Sequence, residues 1–143
     1  MNKKQIVRQA GVIPYLEIDG QLMTVMVTAR SRSSFWLFPK GHIEADLTPE
    51  QSAAAEAYEE AGIRGLIRKK AVGTYRYSKL GRIYRVKLFP FKVKKLLKKW
   101  PEAASRTRHI VTFDEAIIHL EDPAMQELAL KLYRRLTRKT TQN

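Results

Sequence analysis

Residues 41–63 read Gly41-His42-Ile43-Glu44-Ala45-Asp46-Leu47-Thr48-Pro49-Glu50-Gln51-Ser52-Ala53-Ala54-Ala55-Glu56-Ala57-Tyr58-Glu59-Glu60-Ala61-Gly62-Ile63. The second half is a helix by its own signals. Thr48 is an N-cap, Pro49 fits the first helical position, and Gln51 closes a Thr-x-x-Gln capping box. The alanines favour helix and let neighbouring backbone come close. Gly62 follows as the residue that ends the helix in a left-handed turn. Glu56, Glu59 and Glu60 are spaced i, i+3, i+4, so they leave one side of that helix. Like charges at this spacing cost about 0.2–0.5 kcal/mol per pair, and the macrodipole disfavours anions near a helix C-terminus. Such a surplus points to a bound cation, and oxygen-only ligands suit a hard divalent ion, Mg²⁺ or Mn²⁺.

Outward from the helix, Trp36-Leu37-Phe38 reads as a short apolar segment, and Phe38-Pro39-Lys40-Gly41-His42 as the loop entering the box. Earlier, Gln9 to Leu16 reads as a strand in which Pro14 marks an edge or irregular position. Asp19-Gly20 signals a turn before the β-branched run Leu22 to Thr28. Arg30 to Ser34 reads as a polar loop. After Gly62, segments Ala71 to Tyr77 and Arg82 to Val93 form a hairpin around Leu80-Gly81. Thr112-x-x-Glu115 opens a short helix, and Asp122-Pro123 starts a last one. In that helix Met125, Leu128, Leu132 and Leu136 make a core stripe, and the tail from Thr140 to Asn143 is expected to fray.

The stretch from Trp36 to Ile63 resembles the Nudix hydrolases. Their box is Gly, five residues, Glu, seven residues, Arg-Glu, an apolar residue, any residue, Glu-Glu, any residue, Gly, apolar. Gly41, Glu56, Glu59, Glu60, Gly62 and Ile63 match at the required spacing. Trp36-Leu37-Phe38-Pro39-Lys40-Gly41 is similar to the lead-in of the diphosphoinositol-polyphosphate and diadenosine-polyphosphate branch. Leu47 and Ala55 depart from the box, which has Glu and Arg there, a pair that braces loop to helix. Losing both together is read as a swap to apolar packing, since an apolar pair replaces a buried ion pair at little cost.

The resemblance implies an α/β fold, an α/β/α sandwich around a mixed β-sheet, with residues 1–143 forming a single domain. It implies divalent-metal-dependent hydrolysis of a phosphoanhydride in a nucleoside or inositol diphosphate linked to another group. The metal ligands carried over are the Gly41 carbonyl, Glu56, Glu59 and Glu60, with Glu56 or Glu59 as the base that takes the proton from water. Glu44 also lies in the loop. Lys40 is the natural phosphate contact, and Arg76, Arg85 and Lys87 are candidates of the same kind. His42 and His109 are weaker acid–base candidates. Trp36 and Tyr58 are read as packing residues.

The chain holds 143 residues with no cysteine, which excludes disulfides, zinc–thiolate sites and thiol nucleophiles. It has no apolar run long enough to span a membrane, and its start lacks the apolar core of a signal peptide, so the expected setting is cytoplasmic, as a monomer or homodimer. The net charge of +13 is concentrated: residues 64–108 carry 16 Lys and Arg against Glu102 alone, or +15, leaving 11 basic and 13 acidic residues, or −2, elsewhere. Such a segment attracts polyanions. A small polyphosphate substrate is the first expectation. An RNA 5′-pyrophosphohydrolase or a non-catalytic polyanion-binding module of the same fold are the alternatives.

Overall fold

The structure is a computed structural model that describes residues 5–141, with side chains through residue 138. Eleven elements follow in order: β1 (Ile6–Ile18), β2 (Gln21–Ala29), β3 (Arg32–Leu37), β4 (Lys40–His42), α1 (Pro49–Ala61), β5 (Ile63–Ile67), β6 (Gly73–Lys79), β7 (Arg82–Leu96), β8 (Arg108–Thr112), α2 (Phe113–His119) and α3 (Pro123–Thr141). The strands join in one mixed sheet with the path β3-β2-β1-β7-β5, to which β4 adds on β1, β6 on β7 and β8 on β2. Among the described residues only β1 and β7 pair in parallel, and they form its centre.

Strand alternation sorts the core into two layers. In β1, Ala10 and Val12 turn to one face and Ile13 and Tyr15 to the other; in β7, Phe89 and Phe91 oppose Val86 and Leu88. The first face packs on α1 through Ala53, Ala57 and Ala61, all fully buried, whose methyl groups let the helix sit close. The second packs on α2 and α3 through Phe113, Ala116, Met125, Ala129 and Leu132. This is the expected α/β/α sandwich.

Pro14 is not at an edge: it lies inside β1, in register with Phe91 of β7. The fold tolerates it because β1 changes partner there. On that side β4 covers Gln9 to Gly11, and β2 takes over at Leu16. Between them Pro14 is in register with neither strand, and its carbonyl accepts from the Thr24 hydroxyl at 2.6 Å. Pro90 repeats the device in β7, at the change from β6 to β5, where its carbonyl accepts from the Arg68 amide.

Two expected loops contain strands. Arg32 to Ser34 belong to β3, a strand at the end of the sheet path held by pairing with β2. Lys40 to His42 form β4, and the expected strand Arg82 to Val93 runs on to Leu96 against β5. Strands β5 and β8 carry no sequence signal strong enough to announce them. The Leu80-Gly81 hairpin holds, with both residues at positive φ, 51° and 77°.

Candidate active site

Helix α1 is built as its capping residues dictate. Thr48 accepts from the Gln51 amide, the Gln51 side chain accepts from the Thr48 amide, and Gly62 closes the helix at φ 63°. A side chain at Gly62 would run into the Trp100 ring, whose indole N–H donates to the Glu60 carbonyl at 3.0 Å. Arg108 stacks on the same indole and donates to the carbonyls of Ala61 and Gly62. The first residue of β8 thus brings a cation to a helix end whose own last turn has no basic residue.

A second arginine completes this arrangement. Arg106 donates through Nε to Glu102 Oε1 at 2.8 Å, through Nη1 to the Thr28 carbonyl at 3.0 Å, and lies 3.5 Å from Glu60 Oε2. Glu60 itself is only 5% exposed, and its Oε1 accepts from the Lys40 amide at 3.2 Å. Neither Arg106 nor Arg108 was singled out by the box spacing. The Glu102–Arg106 pair at i, i+4 was the available sequence signal. Protein cations therefore offset part of the carboxylate surplus that the sequence assigns to a bound ion.

Glu56 occupies the remaining acidic position. Its carboxyl lies directly against the Gly41 backbone, where a Cβ at position 41 would collide with it. Burial first, then the charge of Glu60 and a hydrogen bond shared with it, push Glu56 up to about 8. Glu60 is also raised, by burial, against the opposing pull of Arg106. A half-buried and a buried carboxyl, Glu56 and Glu60, thus stand together beside Gly41. Glu59 is exposed on the same helix, and its carbonyl accepts from the Glu102 amide.

On the opposite sheet face Lys40 is set by Gly11, its cross-strand neighbour, where a Cβ would meet Lys40 Cβ at 2.7 Å. Lys40 Nζ donates to the Tyr77 hydroxyl at 3.0 Å, and that hydroxyl donates to Oε1 of buried Gln9 at 2.9 Å. Tyr77 stacks on Tyr84 at 4.8 Å and 6°. Burial draws the Lys40 ammonium below its ordinary pKa, with Glu60 opposing. A cavity of about 410 Å³ opens beside it, lined in part by Arg32, Phe35, Lys40, Tyr75, Tyr77 and Lys79. A second depression joins Lys40 and Lys79 to Glu60 and Arg106.

The other candidates are placed apart. Arg76, Arg85 and Lys87 are exposed on the α1 face, across the sheet from Lys40 and Tyr77. His42 is exposed and tilts on Tyr84 at 6.4 Å. Trp36 is sandwiched between His109 and His119, each at 3.9 Å, and Tyr58 lies under Arg64. Glu44 turns its amide to the hydroxyl of buried Ser52 at 3.1 Å, which ties the box loop to α1. Leu47 faces a groove with Ile6, Arg8 and Pro49, outside both core clusters.

Among the described residues no three His, Asp or Glu side chains converge as a metal cluster. The nucleus is instead the Glu56–Glu60 pair. Its chemistry fits a hard divalent ion: oxygen donors only, two neighbouring carboxyls whose mutual repulsion a cation would relieve, and the Gly41 backbone alongside. Mg²⁺ in particular is commonly held by one or two carboxylates together with substrate phosphates.

The sequence model of the family described as NUDIX domain matches residues 6–136. Nudix hydrolase 16, mitochondrial, of Arabidopsis thaliana is 30% identical over 135 residues, covering 82% of this chain and 74% of that protein. Diphosphoinositol polyphosphate phosphohydrolase 3-alpha of Mus musculus is 28% identical over 95 residues, covering 65% and 57%. Among solved structures, the C. elegans Ap4A hydrolase superposes with a TM-score of 0.77 at 23% identity, over 92% of this chain and 99% of that one. That likeness is one of fold.

Proposed function

The chain belongs to the Nudix hydrolase family, and from that premise we propose that it hydrolyses a phosphoanhydride bond in a nucleoside or inositol diphosphate linked to a further group, using Mg²⁺ or Mn²⁺. The observation that carries this reading is geometric: the Glu56 carboxyl lies against the Gly41 backbone, and buried Glu60 beside it accepts from the Lys40 amide. Glu56, Glu60 and the Gly41 carbonyl would hold the ion, with Glu59, exposed on the same helix, as the further ligand.

A divalent ion there would neutralise phosphate charge and acidify the attacking water. The chain's own groups supply the rest. Lys40 spends one N–H on Tyr77 and keeps two for phosphate oxygens. Arg106 anchors Glu60 so that its carboxylate does not swing out of the site. Glu56 or Glu59 takes the proton of the attacking water. The cavity lined by Phe35, Tyr75, Tyr77 and Lys79 would receive the remainder of the substrate.

The test is phosphate release by the purified protein with Mg²⁺ or Mn²⁺ from dinucleoside polyphosphates, nucleotide sugars, diphosphoinositols and triphosphorylated RNA. Turnover of one class identifies the substrate. Turnover of the RNA alone would replace the small-molecule reading by an RNA 5′-pyrophosphohydrolase. Absence of turnover with every substrate and both ions would contradict the proposal and favour a binding module.

A further inference from the structure

Three arginines stand side by side on the sheet. Arg8 of β1 is in register with Arg85 of β7, and Arg85 is in register with Arg76 of β6. Their side chains share the α1 face, because Arg8 is in phase with Ala10 and Val12, and Arg85 with Phe89 and Phe91. One step along the strands, the next row on that face reads Gly41, Ala10, Lys87 and Thr74, which adds a fourth cation and a hydroxyl. Arg8, Arg76, Arg85 and Lys87 are all exposed.

Like charges directly opposite in a sheet are destabilising, and acids usually intervene. Here none does. Among the described residues the ion pairs are Arg30–Glu102, Arg106–Glu60 and Arg106–Glu102, and none involves the row. Neighbouring strands lie about 4.8 Å apart, so the row extends about 10 Å from Arg8 to Arg76. A run of linked phosphates can engage all three guanidinium groups and Lys87 at once without drawing the like charges together. The planar guanidinium fork matches phosphate oxygens in pairs. Among the described residues the row itself contains no aromatic residue to stack a base, and Phe89, which shares its face, is buried beneath Lys87.

We propose that Arg8, Arg85, Arg76 and Lys87 form a second anion site, which takes a chain of three or more linked phosphates on the α1 face, across the sheet from the Lys40 cavity. The site does not depend on the hydrolytic reading. It requires neither metal nor turnover, and its failure leaves that reading untouched.

The experiment is calorimetric titration of the full chain with inorganic tripolyphosphate in the presence of EDTA, followed by thermal melting. Lys40→Gln/Lys79→Gln removes the cations of the cavity, and this variant should still bind tripolyphosphate. Adding Arg76→Gln/Arg85→Gln to it should weaken the remaining binding by about tenfold or more and flatten its salt dependence. The Arg76→Gln/Arg85→Gln protein should melt no lower than the parent, since it relieves repulsion on an exposed face. Unchanged binding after the arginine changes would overturn the site. So would complete loss of binding in Lys40→Gln/Lys79→Gln. Binding at the row of a short single-stranded RNA with a 5′ hydroxyl, but not of tripolyphosphate, would reassign it to a nucleic-acid backbone and overturn the phosphate-chain assignment.

Discussion

Lys40 Nζ donates to the Tyr77 hydroxyl at 3.0 Å and lies 4.7 Å from the centre of the same ring. Because the hydroxyl gives its own proton to Gln9, its free lone pair is committed to Lys40. The stacking of Tyr77 on Tyr84 fixes the ring in turn. One flexible ammonium is thus held at one place at the mouth of the cavity.

Tyr77→Phe should keep the packing and remove this anchor. A neutral hydrogen bond contributes about 0.5–1.5 kcal/mol, so KM should rise roughly twofold to tenfold with kcat little changed. Steady-state kinetics decide it: an unaltered KM would mean that Tyr77 only packs.

Gly41→Ala should separate activity from stability. The added methyl meets the end of the Glu56 side chain, which can swing aside, and no backbone atom is among its close neighbours. The fold should survive while Glu56 is displaced, so kcat should fall by at least about tenfold, equivalent to ~1.4 kcal/mol. Gly11→Ala should show the reverse order of effects, because its methyl meets the Pro39 carbonyl and the Lys40 backbone. Parallel melting curves and rates on the two variants check this, and equal loss of stability in both would contradict it.

Ser52→Ala tests what braces the box loop. Ser52 is 1% exposed and accepts the Glu44 amide, so the variant strands a backbone donor. The expected cost is about 1–3 kcal/mol, read as a lower denaturation midpoint. A midpoint equal to the parent's would return the brace to Leu47 and Ala55.

Much of this was readable from local chemistry. Thr48, Pro49, Gln51 and Gly62 specify α1 without outside help, and the Leu80-Gly81 turn needs only its own two positive φ values. Of the two positions that Pro14 allowed, edge or irregular, the structure has the irregular one, and the choice depends on where β4 ends and β2 begins. Arg106 and Arg108 were invisible for a similar reason. They reach Glu60 and the end of α1 across more than forty intervening residues, through a loop whose path is set by Trp100 packing on Gly62. The row formed by Arg8, Arg85 and Arg76 likewise exists only once three strands are in register.

The His109–Trp36–His119 stack predicts an acid limit to stability. Burial, and then the proximity of His119, lower the His109 pKa, with Glu115 opposing. The folded state therefore binds fewer protons than the unfolded state below the ordinary histidine pKa of about 6.5. Stability is retained above that value and is lost as pH falls through the lowered folded value. His109→Gln should flatten this dependence in melting experiments between pH 7 and pH 5, taken as a working range around that pKa of about 6.5. An identical pH profile in the variant would exclude His109 as its source.

The central claim is that the Glu56–Glu60 pair is the metal-dependent catalytic centre, and kcat of Glu60→Gln at saturating Mg²⁺ tests it most directly. Glutamine keeps the shape, and its carbonyl oxygen can still accept from the Lys40 amide, so far-ultraviolet circular dichroism should match the parent. The account predicts a fall in kcat of about a hundredfold or more, equivalent to ~2.7 kcal/mol of lost transition-state stabilisation. Turnover within about twofold of the parent, on a substrate that the parent hydrolyses, would contradict it.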